Sequence, residues 1–216
     1  MLDEKLAEFA GALFGDGCLS KYFVKSENRE RYELAFTGSI SDFAYYKELL
    51  QPTLIASFGV KGRLFLRGNS TRFHIKSKAV FNFFKQLGMP VGKKGARLEM
   101  PAEIFSNRNL ALAFTRGLWN TDGSIYKRYS KKYPGHTRLY DKYLVMQLKL
   151  NSRKILEQVR DIFLSEGILC SAILPEKRAF VLRIGKQASI KRYLKLIGFS
   201  NKHHLNRIRS MAVNNV

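Results

Sequence analysis

Hydrophobic and polar positions follow the same series of patterns twice along the chain. Each half opens with an apolar run at helical spacing, residues 6–17 and 112–123, which predicts a buried helix. Polar and apolar residues then alternate in two short segments, a pattern typical of a β-hairpin. The elements predicted after the first helix are strands 19–24 and 32–37, a helix over 41–57, strands 63–67 and 72–75, and a helix over 77–87.

The second half repeats this order, with a longer connection in its first hairpin. Pro134 and Gly135 supply a turn signal there, so we expect residues 127–142 to form a basic, tyrosine-containing loop. The elements predicted around it are strands 125–129 and 143–150, a helix over 152–166, strands 171–174 and 180–184, and a helix over 187–197.

The two apolar helical runs are copies of one motif, 106 positions apart. Without a gap, Gly11 matches Gly117 and Asp16 matches Asp122. A repeat of about 105 residues is too long for a solenoid and indicates an internal duplication. With the order α-β-β-α-β-β-α in both halves, we predict an α+β fold of two pseudo-twofold-related half-domains. Their expected bounds are residues 1–94 and 109–216, joined by a linker at 95–108.

The repeated glycines indicate a close contact between the two motif helices. Glycine in a helix interior costs roughly 1 kcal/mol relative to alanine. Its presence at equal offset in both copies, Gly11 and Gly117, therefore predicts an interface where the helix backbones touch. Such a contact brings the helix C-termini together, and with them Asp16 and Asp122.

Two carboxylates at neighbouring helix C-termini need a cation. Negative charge is disfavoured at that end of a helix, and like charges raise each other's pKa. Mg²⁺ prefers oxygen ligands and keeps several waters. The predicted ligands are the carboxylates of Asp16 and Asp122 and the backbone carbonyls of Gly15 and Thr121. The alternative for each aspartate is a plain Asp-Gly turn that ends a helix.

The composition adds a strong positive charge. The chain has 38 Lys and Arg against 17 Asp and Glu, a net charge of +21 and a pI near 10.1. Such a balance indicates a polyanionic partner, nucleic acid first and an anionic membrane surface second. No segment resembles a signal peptide or a transmembrane helix, and Cys18 and Cys170 suggest no disulfide framework. We therefore expect an intracellular protein, in the cytoplasm, the nucleoid or a DNA-containing organelle.

These paired motifs resemble those of the LAGLIDADG homing endonucleases, in their monomeric two-motif form, over nearly the whole chain. The resemblance implies motif helices packed at the pseudo-twofold axis and two saddle-shaped antiparallel sheets that straddle double-stranded DNA. It also implies hydrolysis of both strands at a long, rare target, with Mg²⁺ or Mn²⁺, by a protein encoded in a mobile intron. Phe14 and Asn120 depart from the pattern, because they stand where the motif's earlier acid usually lies.

The resemblance further implies polar or basic residues near the scissile phosphates. Many relatives carry one at the end of the strand before the long helix, where this chain has Gly-Ser at 38–39 and Leu-Asn at 150–151. The candidate catalytic lysines are instead Lys94 and Lys202, in the equivalent segments that follow the last predicted helix of each half. Simple surface lysines are the alternative.

Polar side chains that alternate with apolar ones along the strands form the candidate DNA-reading face. Alternation places one face of a strand on the core and the other on the ligand, where Arg can read guanine and Gln adenine. The 127–142 segment is expected to contact DNA or to be a disordered insertion. The candidate DNA-binding residues are Arg31, Glu33, Arg63, Arg67, Arg72, His74, Lys76, Lys127, Tyr143, Gln147, Lys149 and Arg183.

Two other functions fit the same fold. The first is a maturase, which would bind intron RNA as a splicing cofactor, and retention of both aspartates does not exclude it. The second is a DNA-binding regulator that does not cut. A regulator is expected to lose Asp16 or Asp122, and both are retained.

Overall fold

A computed structural model of the chain describes residues 2–133 and 136–213, with side chains except at 129–142 and 212–213. Each half begins with a motif helix that runs directly into the first strand of a sheet. In the first half a π-helical segment, Tyr46–Leu50, joins α2 and α3 into one continuous helix. Its elements are α1 (Glu4–Asp16), β1 (Gly17–Val24), β2 (Arg29–Ser39), α2 (Phe43–Tyr45), α3 (Gln51–Phe58), β3 (Arg63–Arg67), β4 (Ser70–Ile75) and α4 (Lys78–Gln86).

The second half has the same order of elements, with a short helix before it and a further helix after it. Its elements are α5 (Ala102–Phe105), α6 (Arg108–Asp122), β5 (Gly123–Tyr133), β6 (His136–Leu150), α7 (Arg153–Ser165), β7 (Leu174–Glu176), β8 (Ala179–Ile184), α8 (Gln187–Leu196) and α9 (Lys202–Val213).

The strands form two four-stranded antiparallel sheets with equivalent topology, β1-β2-β4-β3 and β5-β6-β8-β7. In both sheets the glycine that follows the motif aspartate opens the edge strand: Gly17 pairs with Phe36, and Gly123 pairs with Leu148. The predicted α+β fold with two repeated half-domains is confirmed.

The motif helices α1 and α6 are central and almost completely buried. Asp3 caps α1 by accepting a hydrogen bond from the Leu6 amide at 2.8 Å, and Asn107 caps α6 in the same way. Asp and Asn satisfy amides that have no partner inside the helix. Within α1, ten consecutive residues from Leu6 to Gly15 are buried. Apart from Glu8 these residues are apolar or glycine, because α6, α3 and the first sheet cover the helix.

Aromatic side chains pack each motif helix against other elements of its half. The Phe9 ring of α1 lies 5.4 Å from the Phe36 ring of β2 and 5.3 Å from the Phe84 ring of α4. The Trp119 ring of α6 lies 5.3 Å from the Tyr193 ring of α8. All five side chains are fully buried, and burying one large apolar side chain contributes roughly 1.5–3 kcal/mol. The core is therefore built around the helices that carry the two aspartates.

The predicted loop over residues 127–142 is wrong for most of its length. The strands β5 and β6 continue into it and remain paired as far as Tyr133 and His136, with register shifts after Lys127 and after Lys131. Alternating basic and aromatic residues continue the strand pattern there. Residues 134 and 135, on which the turn signal was read, lie outside the described residues.

The predicted strand 171–174 is also largely wrong, since β7 begins at Leu174. The amide of Ser171 donates to the Arg183 carbonyl at 2.8 Å, but its side-chain oxygen accepts from the Arg183 amide at 3.1 Å. A side chain thus takes the place of a backbone carbonyl, which interrupts the strand ladder. The predicted linker, residues 95–108, contains the short helix α5 and the first residue of α6.

Candidate active site

The two motif helices cross in direct backbone contact at Gly11 and Gly117. A Cβ atom on Gly11 would lie 2.0 Å from the Phe114 carbonyl oxygen, and one on Gly117 would lie 2.1 Å from the Glu8 carbonyl oxygen. Both distances are far below van der Waals contact. The structure therefore places both predicted interface glycines where any larger residue would push the helices apart.

One side of this crossing is polar and the other is aromatic. The buried Glu8 carboxylate pairs with Arg116 at 2.7 Å and accepts a hydrogen bond from the Asn120 amide at 3.0 Å. The residues equivalent to Glu8 and Asn120 in the duplication are Phe114 and Phe14. Their rings pack edge to face with centroids 5.2 Å apart. Asn120, which replaces the motif's earlier acid, is thus a partner of Glu8 in the helix interface.

The motif aspartates lie at the C-termini of the crossing helices and have perturbed pKa values. Burial, followed by the charges of Asp122 and Asp42, raises the pKa of Asp16 to about 7. Burial raises the pKa of Asp122 to about 6, against the charge of Lys94 and a hydrogen bond from Thr121. Both shifts show that a bare negative charge is unfavourable here. A cation at this place would favour the charged form of both carboxyls.

The oxygen donors at the crossing suit a divalent cation. Gly15 lies against the Asp122 carboxylate, since a Cβ atom on Gly15 would be 2.3 Å from Asp122 Oδ2. The carboxylates of Asp16 and Asp122 with the carbonyls of Gly15 and Thr121 are hard ligands of the kind Mg²⁺ takes. Within the described ranges, no group of three His, Cys, Asp or Glu could hold a metal. An ion here would therefore rely on backbone carbonyls and water for the rest of its shell.

Lys94 lies at the crossing. Its ammonium group donates to the Gly15 carbonyl and, at 3.1 Å, to the Phe14 carbonyl. The loop that carries it is tied to the first sheet, because the Gly92 amide donates to the Leu19 carbonyl at 2.7 Å. Burial lowers the pKa of Lys94, against the charges of Asp122 and Asp16. Lys94 therefore contacts a carbonyl that the sequence suggested as a metal ligand.

Lys202 does not reach the crossing. Its side chain is exposed and its Nζ pairs with Glu48 Oε2 at 2.5 Å. The preceding residue, Asn201, is buried instead, and its amide donates to the Asn120 carbonyl at 3.1 Å and to Asp42 at 2.8 Å. Because Asn201 faces inward at the start of α9, its neighbour faces outward. The prediction that Lys202 joins the catalytic residues is therefore not supported by its position.

Two groups near Asp16 were missed by sequence reasoning. Asp42 accepts a hydrogen bond from the Ser39 amide at 2.8 Å, so by sequence it is an ordinary helix-capping acid. The Tyr46 hydroxyl is buried close to Asp16 and, in the described part of the chain, has no partner with full hydrogen-bond geometry. A Cβ atom on Gly38 would lie 2.5 Å from this hydroxyl and 2.7 Å from Asp42 Oδ2. Gly38 therefore leaves room for both groups.

A cavity of about 270 Å³ opens on the other side, beside Asp122. Its lining includes Lys94, Lys149, Asn151 and Ser152. Lys149 pairs with Glu176 at 2.7 Å. The Leu-Asn pair at 150–151 thus borders a space next to one aspartate, whereas the Gly-Ser pair at 38–39 lies against Asp42 and Tyr46.

The candidate DNA-binding residues lie on the strands of the two sheets, where several pair with one another. On the first sheet His74 lies 2.5 Å from Glu33, and Arg72 donates to Thr37 at 2.6 Å. On the second, Arg183 donates to Gln147 at 2.9 Å. The other candidates are placed at the ends and outer faces of the strands: Arg31 contacts Glu27, Arg63 stacks on Phe65, Tyr143 is exposed, and Arg67, Lys76 and Lys127 are solvent-accessible.

Comparison with known structures agrees with this geometry. A structure of mesophilic variants of the homing endonuclease I-DmoI matches with a TM-score of 0.65 at 18% identity. The match covers 90% of this chain and 95% of that chain. The chain has the LAGLIDADG fold. I-DmoI in complex with DNA and Mn gives a TM-score of 0.64, with 91% and 97% covered at 21% identity. The meganuclease I-AabMI bound to uncleaved DNA gives 0.58, with 94% and 86% covered at 9% identity.

Sequence comparison supports the same family for the second half. Residues 109–198 match the family described as LAGLIDADG-like domain, so the resemblance predicted from the paired motifs is confirmed. A segment of 125 residues is 31% identical to part of one chain of the A-type ATP synthase from Pyrococcus abyssi. The match covers 57% of this chain but 11% of that protein, so the chain spans about a tenth of the length of this curated relative. No membrane-spanning candidate is found among the helices of residues 2–133 and 136–213.

Proposed function

We propose that this chain is a site-specific DNA endonuclease that cuts both strands of a long, rare duplex target with Mg²⁺ or Mn²⁺. The observation that carries this proposal is the pair Asp16 and Asp122, held together by the Gly11–Gly117 crossing between two basic sheets. Structures with the same fold include I-DmoI in complex with DNA and Mn, and with DNA and Ca. We propose the half-domain bounds 1–94 and 109–216 for the two parts that would contact the two halves of the target.

Asp16, Asp122 and the carbonyls of Gly15 and Thr121 would hold the metal. The ion, when bound, would activate a water molecule for attack on phosphorus and stabilise the leaving oxygen. The protein's own part is to hold the two carboxylates rigidly in a buried place. Their raised pKa values mean that metal binding must compete with protons. We expect cutting to increase as pH rises through about 7, the pKa of Asp16 without metal.

The polar faces of the two sheets would read the target. The net charge of +21 would supply the sequence-independent attraction to phosphates. Arg183 and Gln147, already hydrogen-bonded to each other, are preorganised for base contacts. The strands differ in sequence between the halves, so the target would be asymmetric. We propose an intracellular, DNA-containing location and a coding sequence within a mobile intron.

Cleavage of long randomised duplexes with Mg²⁺ or Mn²⁺ tests the proposal. The unaltered chain should make paired breaks at one rare sequence. Asp16→Asn and Asp122→Asn should still bind that sequence and lose the paired breaks, whereas Asp161→Asn, at an exposed position on α7, should cut normally. Binding without cutting under every divalent ion would refute the nuclease. Tight binding of intron RNA in its place would then point to a maturase, and metal-independent duplex binding to a regulator.

A further inference from the structure

A chain of hydrogen bonds crosses the polar face of the second sheet and ends on one carboxylate, that of Glu176. The Lys149 ammonium group donates to Glu176 Oε1 at 2.7 Å, and Arg183 Nη2 donates to Glu176 Oε2 at 2.7 Å. Arg183 Nε also donates to Gln147 Oε1 at 2.9 Å, and this oxygen accepts from the Tyr126 hydroxyl at 3.2 Å. Glu176 therefore lies between two cations that are candidate DNA-binding residues.

The backbone fixes Glu176 on the same face of the sheet as these cations. A two-residue turn at 177–178 joins β7 to β8 and places Glu176 opposite Ala179. Because side chains alternate along a strand, Ala179 and Arg183 point to one face of the sheet. Leu182, which is buried, points to the core. The face that would read the target thus carries a fixed acidic group.

This carboxylate competes with DNA phosphates for the two cations. The side chains of Lys149, Arg183 and Glu176 are between 36% and 39% exposed, so DNA can reach all three. The two cations carry two positive charges, and Glu176 leaves a net charge of one. Non-specific binding depends on the number of phosphates that a protein neutralises. Glu176 should therefore weaken binding to every sequence alike.

Only one kind of base edge compensates a carboxylate in the major groove. A carboxylate has no hydrogen to donate, and each oxygen of Glu176 keeps acceptor capacity beyond the one cation that it binds. The donors that bases present in that groove are the amino groups at cytosine N4 and adenine N6. Guanine and thymine present oxygen acceptors there, which the carboxylate repels.

We propose that Glu176 is a specificity-determining residue, which disfavours DNA in general and is compensated in the target by the amino group of one cytosine or adenine. The inference rests on the proposed endonuclease function, because it assigns one base to the face proposed to contact DNA. Lys149 and Arg183 hold the carboxylate in position. Discrimination at this base arises from repulsion of the wrong bases as well as from attraction to the right one.

Selection by binding tests this role without any cutting. Bound duplexes are recovered from a randomised library in EDTA with the unaltered chain, Glu176→Gln and Glu157→Gln. Glu176→Gln keeps the size of the side chain and removes its charge. Glu157→Gln removes the same charge from an exposed glutamate on α7 that also pairs with an arginine, Arg153, at 2.8 Å.

The selected sequences should differ at one position. With the unaltered chain and with Glu157→Gln, we expect cytosine or adenine there. With Glu176→Gln that position should also admit guanine and thymine, because an amide donates as well as accepts. The preferences at the other positions should stay the same.

Affinities in EDTA give a second readout. Glu176→Gln should bind a random duplex about tenfold more tightly, and its slope of log affinity against log salt should be steeper by about 0.9. For the selected target the change should be less than about threefold, because the lost base contact, worth about tenfold, offsets the same gain. The ratio of target to random affinity should therefore fall about tenfold, whereas Glu157→Gln should preserve it.

The outcomes separate this inference from a structural role and from the proposed function. If Glu176 only holds its neighbours in place, Glu176→Gln should weaken binding of both duplexes, and that result would overturn the inference. An unchanged base preference, or random binding no tighter than that of Glu157→Gln, would overturn it as well. A chain that selects a sequence in EDTA but cuts none with Mg²⁺ or Mn²⁺ refutes the endonuclease alone. If the unaltered chain selects no sequence, both proposals fail.

Discussion

The helix crossing and its immediate surroundings differ in how far they keep the symmetry of the duplication. At the crossing, Gly11 and Gly117 meet equivalent carbonyls of the opposite helix at nearly equal distances, 2.0 and 2.1 Å from the position that an added Cβ atom would take. One turn away the symmetry is lost. Glu8 and Asn120 form a hydrogen-bonded pair on one side, whereas the rings of Phe114 and Phe14 pack edge to face on the other.

The difference shows what each position is required to do. Backbone contact leaves room for one residue type, so both copies keep glycine. A side-chain pair across the interface can be polar or aromatic, provided that its two members match each other. The two equivalent lysines differ in the same way. Lys94 contacts the Gly15 carbonyl at the crossing, whereas Lys202 pairs with Glu48 on the surface. A duplicated chain can therefore hold its symmetric centre while the two sides acquire different chemistry.

The largest expected effect is on the symmetric centre itself. Gly11→Ala and Gly117→Ala should each lower the free energy of unfolding by about 4 kcal/mol or more, because the new methyl group meets backbone that cannot yield. Urea denaturation followed by circular dichroism measures this. Gly185→Ala, at a site with no atom within 4 Å of the added Cβ, is the control and should change stability by less than about 1 kcal/mol. If the two variants lose unequal amounts of unfolding free energy, the two glycine contacts are not energetically equivalent, although their distances are nearly equal.

The polar side of the crossing should be sensitive to loss of one partner. Glu8→Ala should cost about 3 kcal/mol, since it removes the buried carboxylate that pairs with Arg116 and accepts from the side-chain amide of Asn120. Glu157 and Arg153 form an exposed Glu–Arg pair at 2.8 Å. Removing it with Glu157→Ala should cost about 0.5 kcal/mol. Equal costs in urea denaturation would mean that burial does not distinguish the two pairs.

Sequence reasoning succeeded where both copies carry the same requirement. The equal offset of the two copies predicted that Gly11 and Gly117 lie in the helix contact and that Asp16 and Asp122 lie near each other, and the structure places them so. The metal-binding role of the aspartates stays a prediction. The order of strands and helices followed from hydrophobic periodicity in the same way. These features depend on local spacing along the chain, which is visible in the sequence.

Sequence reasoning failed where position depends on contacts between distant segments. Lys202 matches Lys94 in the sequence, yet it faces outward because Asn201 is held by Asn120, about 80 residues earlier. Asp42 looks like a helix cap, and its place beside Asp16 follows from how β2 leads into α2. Neither outcome has a local signal, because each depends on contacts between residues that are distant in the sequence.

The metal-free aspartates should destabilise the protein as pH rises. The pKa of Asp16 is about 7 in the folded state against 3.8 for an ordinary aspartate, so the folded protein binds the extra proton between these values. The resulting stability is complete below about 3.8 and is lost as pH rises through about 7. In EDTA at pH 8, Asp16→Asn should therefore be about 2 kcal/mol more stable than the unaltered chain. At pH 4 the two should be nearly equal.

The second aspartate should behave in the same way. Burial raises the pKa of Asp122 to about 6, against the charge of Lys94 and a hydrogen bond from Thr121. Asp122→Asn should therefore also stabilise the metal-free protein at pH 8. Asp161→Asn, at an exposed position, should show no such dependence on pH. Melting temperatures across pH 4–8 check this, and the absence of any gain for Asp122→Asn at pH 8 would contradict the burial of its carboxyl group.

The smallest expected effect is on stability when Lys202, the surface equivalent of Lys94, is replaced. Lys202 and Glu48 are both more than half exposed, so solvent screens their interaction. Lys202→Ala should lower the free energy of unfolding by about 0.5 kcal/mol or less, and Glu48→Ala should do the same. Because the pair acts as one weak unit, the double variant should match either single variant. A loss above about 1 kcal/mol, or a fall in melting temperature that depends on Mg²⁺, would place Lys202 closer to Asp16 than its pairing with Glu48 allows.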